Sequence, residues 1–306
     1  MFYLKRAMVN RLHIYTAQMM RAIFFLLTIS AIILLEDSNV LAKVDAYPSE
    51  DVIIFYATGQ PGGLVDADKA IDINVKSGPK DWIVRYQALT LKGSEGEIPP
   101  DRISVNSPYT NGYEEMSGLR VVAKGDDKVT RPVTIGPVRF RLQTTWKDKP
   151  GTYTGLLVSP DGAQSINVKL IINPFTSILL DPPSVYFEAM GQPSVFDAVS
   201  EVAVRVSSNY AGWTVSCKAS PLSLTGRGNN IISNKRIFIG TAEAKNYRDE
   251  GAGRGFKRMH KSILLGSGNQ TPPIEFERLR FRLLTTWKDR PGTYDGNVTF
   301  TFLVSP

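Results

Sequence analysis

The sequence predicts an all-β protein: two tandem antiparallel β-sandwich domains behind an N-terminal signal peptide. Three observations carry this. Apolar residues recur with period two rather than 3.6; a stretch of about 130 residues occurs twice; and one short apolar run near the front is preceded by basic residues.

The front comes first. Ala22 to Leu35 (AIFFLLTISAIILL) is an unbroken apolar run that follows Lys5, Arg6, Arg11 and Arg21. It is shorter than the roughly 20 residues a spanning helix needs, and Val40-Leu41-Ala42 offers a small-residue exit. This is the pattern of a secretory signal peptide over 1–42, cut after Ala42, with Met19 or Met20 as an alternative start. An uncleaved segment would act as an anchor. In both cases the remainder is exported, to the periplasm, the cell surface or the medium. The one cysteine, Cys217, allows no internal disulfide and lies in an alternating stretch, WTVSCKA, which predicts a buried thiol.

The repeat sets the domain plan. TTWKDKPGTYTG at Thr144–Gly155 returns as TTWKDRPGTYDG at Thr285–Gly296, preceded by RFRLQ and RFRLL. Upstream, FYATGQPG at Phe55 matches FEAMGQPS at Phe187, and Trp82 in DWIVRYQA matches Trp213 in GWTVSCKA. All four tryptophans therefore form two matched pairs. Duplication of a whole domain follows, with domains over 43–174 and 175–306.

Within each copy, Ile71, Ile73 and Val75 alternate with polar residues, as do Val202, Val204 and Val206, and Val298, Phe300, Phe302 and Val304. Such runs are strands with one face buried, and frequent Pro and Gly separate them. RFRLQTTW reads as a strand, KDKPG as a tight turn and TYTGLLVS as the returning strand of a hairpin that closes the sandwich. Tyr153 and Tyr294 stand where a tyrosine corner would tie that turn to the backbone. Trp82 and Trp213 are predicted core anchors, and Trp146 and Trp287 are likewise assigned a structural role.

PGTYTGLLV and PGTYDGNVTFTFLV resemble the closing strands of secreted bacterial immunoglobulin-like domains, including spore coat U-type and fimbrial ones. The resemblance covers about twenty residues of each copy and implies an immunoglobulin-like fold for both. This chain lacks the cysteines usual in spore coat U-type domains.

Chemistry is scarce. With His13 in the export segment, His260 and Cys217 cannot assemble a zinc site or a Ser-His-Asp arrangement, so no catalytic residue, metal or cofactor is assigned. Acidic pairs such as Asp126-Asp127 and Glu114-Glu115 read as solvated turns. The glycine-rich GAGRGFKR from Gly251 lacks the Gly-Lys-Ser/Thr ending of a phosphate loop. It does mark a difference between the copies: Trp82 to Trp146 spans 64 positions and Trp213 to Trp287 spans 74, and this loop is the natural place for the extra residues.

The stretch is also basic. Residues 43–174 carry sixteen basic and sixteen acidic side chains and 175–306 carry sixteen and eleven, so the excess beyond the export segment lies in the second copy. Arg248, Arg254, Lys257, Arg258 and Lys261 are the candidate contacts for an anionic partner. The expected function is that of a non-enzymatic secreted or cell-surface protein with a structural or adhesive role in an envelope, pilus or coat assembly. Its expected partners are envelope protein subunits or an anionic surface polymer, with self-association through sheet edges and no role for nucleic acid. The final strand is expected to be free to exchange. A two-domain periplasmic assembly chaperone is the alternative, and a carboxylate-based polysaccharide hydrolase the weakest reading.

Overall fold

The computed structural model describes residues 44–160, 162, 164–226, 230–241, 248–249 and 253–305. The signal-peptide reading of 1–42 lies outside the described residues. Within them the regular secondary structure is almost entirely β-strand, and the helical content is two three-residue turns, Pro100–Arg102 and Asn234–Arg236. No described helix is long and apolar enough to cross a membrane.

Every strand pairing falls within 45–172 or within 176–305. In the first region two sheets face one another. One runs in the order Asp45–Pro48, Ile71–Ser77, Val133–Gln143, Ile103–Asn106, Glu114–Glu115, with Leu64–Asp66 beside Val133–Gln143; the other runs Arg120–Gly125, Trp82–Ala88, Gly151–Val158, Ser165–Ile172, Val52–Ala57. Their inward residues are those the period of two selected: Ile71, Ile73 and Val75 meet Trp82, Val84 and Tyr86 from the facing sheet, all buried. Pairing is antiparallel except where Ser165–Ile172 runs parallel to Val52–Ala57.

The second region repeats this plan with losses. Thr176–Asp181, Val202–Ser208, Thr271–Leu284, Ile237–Gly240 and Lys257–Arg258 rebuild the first sheet, and Ile263–Gly268, Gly212–Ala219 and Val298–Ser305 rebuild part of the second. Trp82 and Trp213 are buried core anchors, as predicted. Each lies flat against a glycine that the sequence did not advertise: a Cβ on Gly125 would come within 2.6 Å of the Trp82 ring, and one on Gly268 within 2.5 Å of Trp213.

The repeated motif is not a hairpin. Val133–Gln143 and Gly151–Val158 belong to different sheets, so TTWKD is an arch that carries the chain from one layer to the other. The reason is electrostatic. Asp148 accepts the Thr145 amide at 2.7 Å and two bonds from Arg102 at 2.7 and 2.9 Å; Asp289 accepts the Thr286 amide at 2.7 Å and bonds from Arg236 at 2.6 and 2.8 Å. A carboxylate satisfied in this way turns the backbone out of its ladder and pins it to the short helical turn that carries the arginine. The tyrosine corners are present in both copies: the Tyr153 hydroxyl donates to the Lys149 carbonyl at 3.0 Å and Tyr294 to Arg290 at 2.9 Å.

The extra residues of the second copy lie mostly where expected. Ile237 to Met259 spans 22 positions where Ile103 to Met116 spans 13, and both methionines donate their amide to the matching isoleucine carbonyl, at 2.9 and 2.8 Å.

Candidate functional site

Three features of the second sandwich stand out: an open sheet edge, a bare tryptophan and the basic insertion.

The edge arises as follows. In the first copy Ser165–Ile172 lies between Gly151–Val158 and Val52–Ala57 and buries Ile166, Val168, Leu170 and Ile172 against Ile53 and Phe55. In the second copy the residues that match Gly151–Val158, 292–299, have no described strand paired on that side. Val298–Ser305 pairs along its whole length with Gly212–Ala219, through eight residues. On its other side, and beside Tyr294–Asp295, no described strand is paired. The counterpart of Val52–Ala57 forms no strand. Yet it is held in place, because the Val199 amide donates to the Tyr186 carbonyl at 2.9 Å just as Asp68 donates to Ile54 at 2.8 Å. Burial records the loss. Val185 and Phe187 are only half-buried where Ile53 and Phe55 are fully covered, and Phe300, Phe302 and Val304 face the core half-open.

The second feature is Trp287, 81% exposed. A structural role for this side chain is corrected by that exposure, and its match in the first copy is placed differently. Trp146 packs edge-on to Phe175 with ring centroids 5.8 Å apart, and the Gln270 side chain donates to the Lys147 carbonyl beside it at 2.8 Å. The end of the first sandwich is thus covered by chain that follows it.

The insertion carries the predicted basic residues. Arg248–Asp249 pairs with Gly253–Arg254, and Lys257–Arg258 joins the edge of the larger sheet. Arg248, Arg254 and Lys261 are exposed and Lys257 is half-buried. Arg258 is engaged: it makes two bonds to the buried Asp249, at 2.7 and 2.9 Å, and lies over the Phe238 ring at 5.4 Å. Phe238 and Phe256 form a small buried cluster, and Arg280 and Arg282 lie over Phe256 at 5.2 and 4.0 Å. Much of the local positive charge therefore holds the insertion together by cation–π and ionic contact. The sequence reading missed Asp249 as a partner; it pairs with Gly253 and meets Arg258 only through its side chain, which leaves no periodic signal.

No group of three or more metal-ligating side chains occurs among the described residues. A cleft of about 340 Å³ at the end of the first sandwich is lined by Thr58, Gln60, Leu64 and Thr144 among others, and its carboxylate, Asp66, is held by Arg141 at 2.7 Å. Burial pushes the Cys217 thiol up to about 12. We expect Cys217 to resist a water-soluble disulfide reagent in the native protein and to react at once in denaturant; rapid native labelling would contradict its burial.

No protein-family model and no curated protein matches the chain. Among solved structures, a chaperone–tip adhesin complex of CFA/I fimbriae biogenesis is 10% identical with a TM-score of 0.30, covering 84% of this chain and 85% of that one. The CsuC–CsuE chaperone–tip adhesion subunit pre-assembly complex of archaic chaperone-usher Csu pili from Acinetobacter baumannii is 11% identical, TM-score 0.36, over 84% and 99%. The secreted serine protease VesC from Vibrio cholerae is 9% identical, TM-score 0.19, over 88% and 52%.

Proposed function

We propose that this is a non-enzymatic structural or adhesive subunit of an exported assembly such as a pilus, coat or envelope layer, joined to its neighbour by strand addition at the second sandwich. The observation that supports this reading is the edge of Val298–Ser305 that faces away from Gly212–Ala219, beside which no described strand is paired. An unpaired edge with half-open apolar side chains beneath it is a template for an extended segment: backbone bonds give affinity, and alternate side chains entering the core give selectivity.

A photo-crosslinking residue at Leu303, exposed on that strand, tests the reading in the cells that make the protein. A covalent adduct whose attached peptide is an extended segment of another envelope subunit is the expected result. Complete absence of adducts at position 303, with adducts forming at a distant exposed position such as Leu64, would overturn it.

A further inference from the structure

The link between the two sandwiches is short. Ser165–Ile172 closes the first and Thr176–Asp181 opens the second, with only Asn173, Pro174 and Phe175 between them. Pro174 stiffens this link, yet a covalent connection alone leaves bend and twist open. The backbone groups of the link are taken up one by one. The Asn173 amide donates to the Ala57 carbonyl at 3.1 Å, and Pro174 has no amide to place. The rest converge on one residue of the second copy, Asn209. Its Nδ2 donates to the Asn173 carbonyl at 3.0 Å, its Oδ1 accepts the Phe175 amide at 2.8 Å, and its own amide donates to the Phe175 carbonyl at 3.1 Å. Asn209 is fully buried, in the turn between Val202–Ser208 and Gly212–Ala219. A primary amide offers donor and acceptor side by side, so this one side chain acts as the neighbouring strand that the link does not have.

Gripped in this way, the link holds Phe175 edge-on to Trp146, with ring centroids 5.8 Å apart. The indole is seated in turn by Gly62, at φ +91°, where a Cβ would come within 3.2 Å of Nε1. A second bridge stands beside the first: Gln270, in the turn between Ile263–Gly268 and Thr271–Leu284, donates to the Lys147 carbonyl at 2.8 Å. Bending at the link would part Phe175 from Trp146, and twisting would part Gln270 from Lys147. Both motions are opposed.

From these contacts we infer that the two sandwiches are locked at one angle and move as a single body, with Asn209 as the lock and Trp146 as its seat. This holds whether or not the second sandwich takes a strand from a neighbour. The TTWKD arch of the first copy thereby gains a role that its repetition did not suggest. It is a socket filled from within the chain, and so closed to other partners. A neighbour that grips the second sandwich sets the direction in which the first projects. None of these contacts pairs two charges, so salt should not loosen the joint.

Spin labels on cysteines introduced at Leu119 and Leu264, both exposed, report the separation of the copies in the full chain, while buried Cys217 stays unlabelled. One narrow distance distribution is expected. Phe175→Ala combined with Gln270→Ala should lower the ratio of that distance to all others about tenfold, from the loss of an aromatic pair and a hydrogen bond. Neither residue belongs to either hydrophobic core, so a thermal melt should show both sandwiches intact. Asn209→Ala should broaden the distribution likewise; if it also melts the second sandwich, the double variant alone decides. A broad distribution in the unaltered protein would overturn the locked joint. So would a narrow one that the double variant leaves unchanged, or one that high salt broadens, because the lock would then lie elsewhere.

Discussion

Trp213→Ala will unfold the second sandwich at a temperature where the first stays native, with a loss of about 3–5 kcal/mol, the usual cost of truncating a buried tryptophan. Its ring is buried; Nε1 donates to the Asn269 carbonyl at 2.6 Å and to the Thr271 hydroxyl at 3.1 Å. The ring meets Phe276 edge-on at 5.2 Å and stacks on Phe302 at 5.7 Å. Phe302 belongs to the strand whose other edge is open, so its cover on one side is largely the tryptophan itself. Removing the ring leaves a void beside a core already half-exposed, and water can enter it. The check is a thermal melt followed by circular dichroism. Two transitions are expected, with the lower one moving in this variant and the upper one moving in Trp82→Ala. A single transition that shifts equally in both variants would show that the copies do not fold as separate units.

Arg236→Ala should cost the same sandwich about 2–3 kcal/mol, below the usual range for a fully buried pair because the Arg236 side chain keeps 19% of its exposure and Asp289 10%. Burial raises the carboxyl of Asp289, but the bond from Arg236 and the amide and hydroxyl of Thr286 together outweigh it and hold the group below the usual carboxylate range. The sign follows. A carboxyl lower in the folded state than in the unfolded one contributes stability that is complete above the unfolded value, about 3.9. That contribution is lost as pH falls through the folded value. Without Arg236 only the amide and hydroxyl of Thr286 oppose the burial effect, the folded carboxyl rises, and acid unfolding should begin at higher pH than in the unaltered protein. Adding Asp289→Asn should restore most of the loss and remove the pH shift. Equal acid midpoints with and without Arg236 would count against this account.

These two residues also mark what could be read from the chain. Trp213 announced itself, because period-two alternation around a repeated tryptophan specifies an inward position whatever lies beyond. Arg236 did not. Its partner is 53 positions away, and neither Arg102 nor Arg236 lies in a periodic stretch, so the arch was taken for a hairpin built on Pro-Gly. The two TTWKD motifs are almost identical, yet one tryptophan is covered and the other bare. That difference lies in what packs against each motif, and no residue inside the motif encodes it. The open edge was hidden for the same reason: Val298, Phe300, Phe302 and Val304 alternate as well as any sealed strand. The basic insertion was visible as composition, but composition does not distinguish a cation aimed at a ligand from Arg258 held by Asp249.

The parallel pairing of Ser165–Ile172 with Val52–Ala57 has a consequence for how the protein is made. Asn167 and Val52, register partners, are 115 positions apart, so the first sandwich cannot close until nearly all of its chain has been delivered. Loop-closure entropy must be met before that contact forms, which makes closure a late and slow event. Until then Ile53 and Phe55 lack their cover, and the chain is open to capture by any extended apolar segment nearby. In the second sandwich, no described strand pairs with the edge of Val298–Ser305 that faces away from Gly212–Ala219.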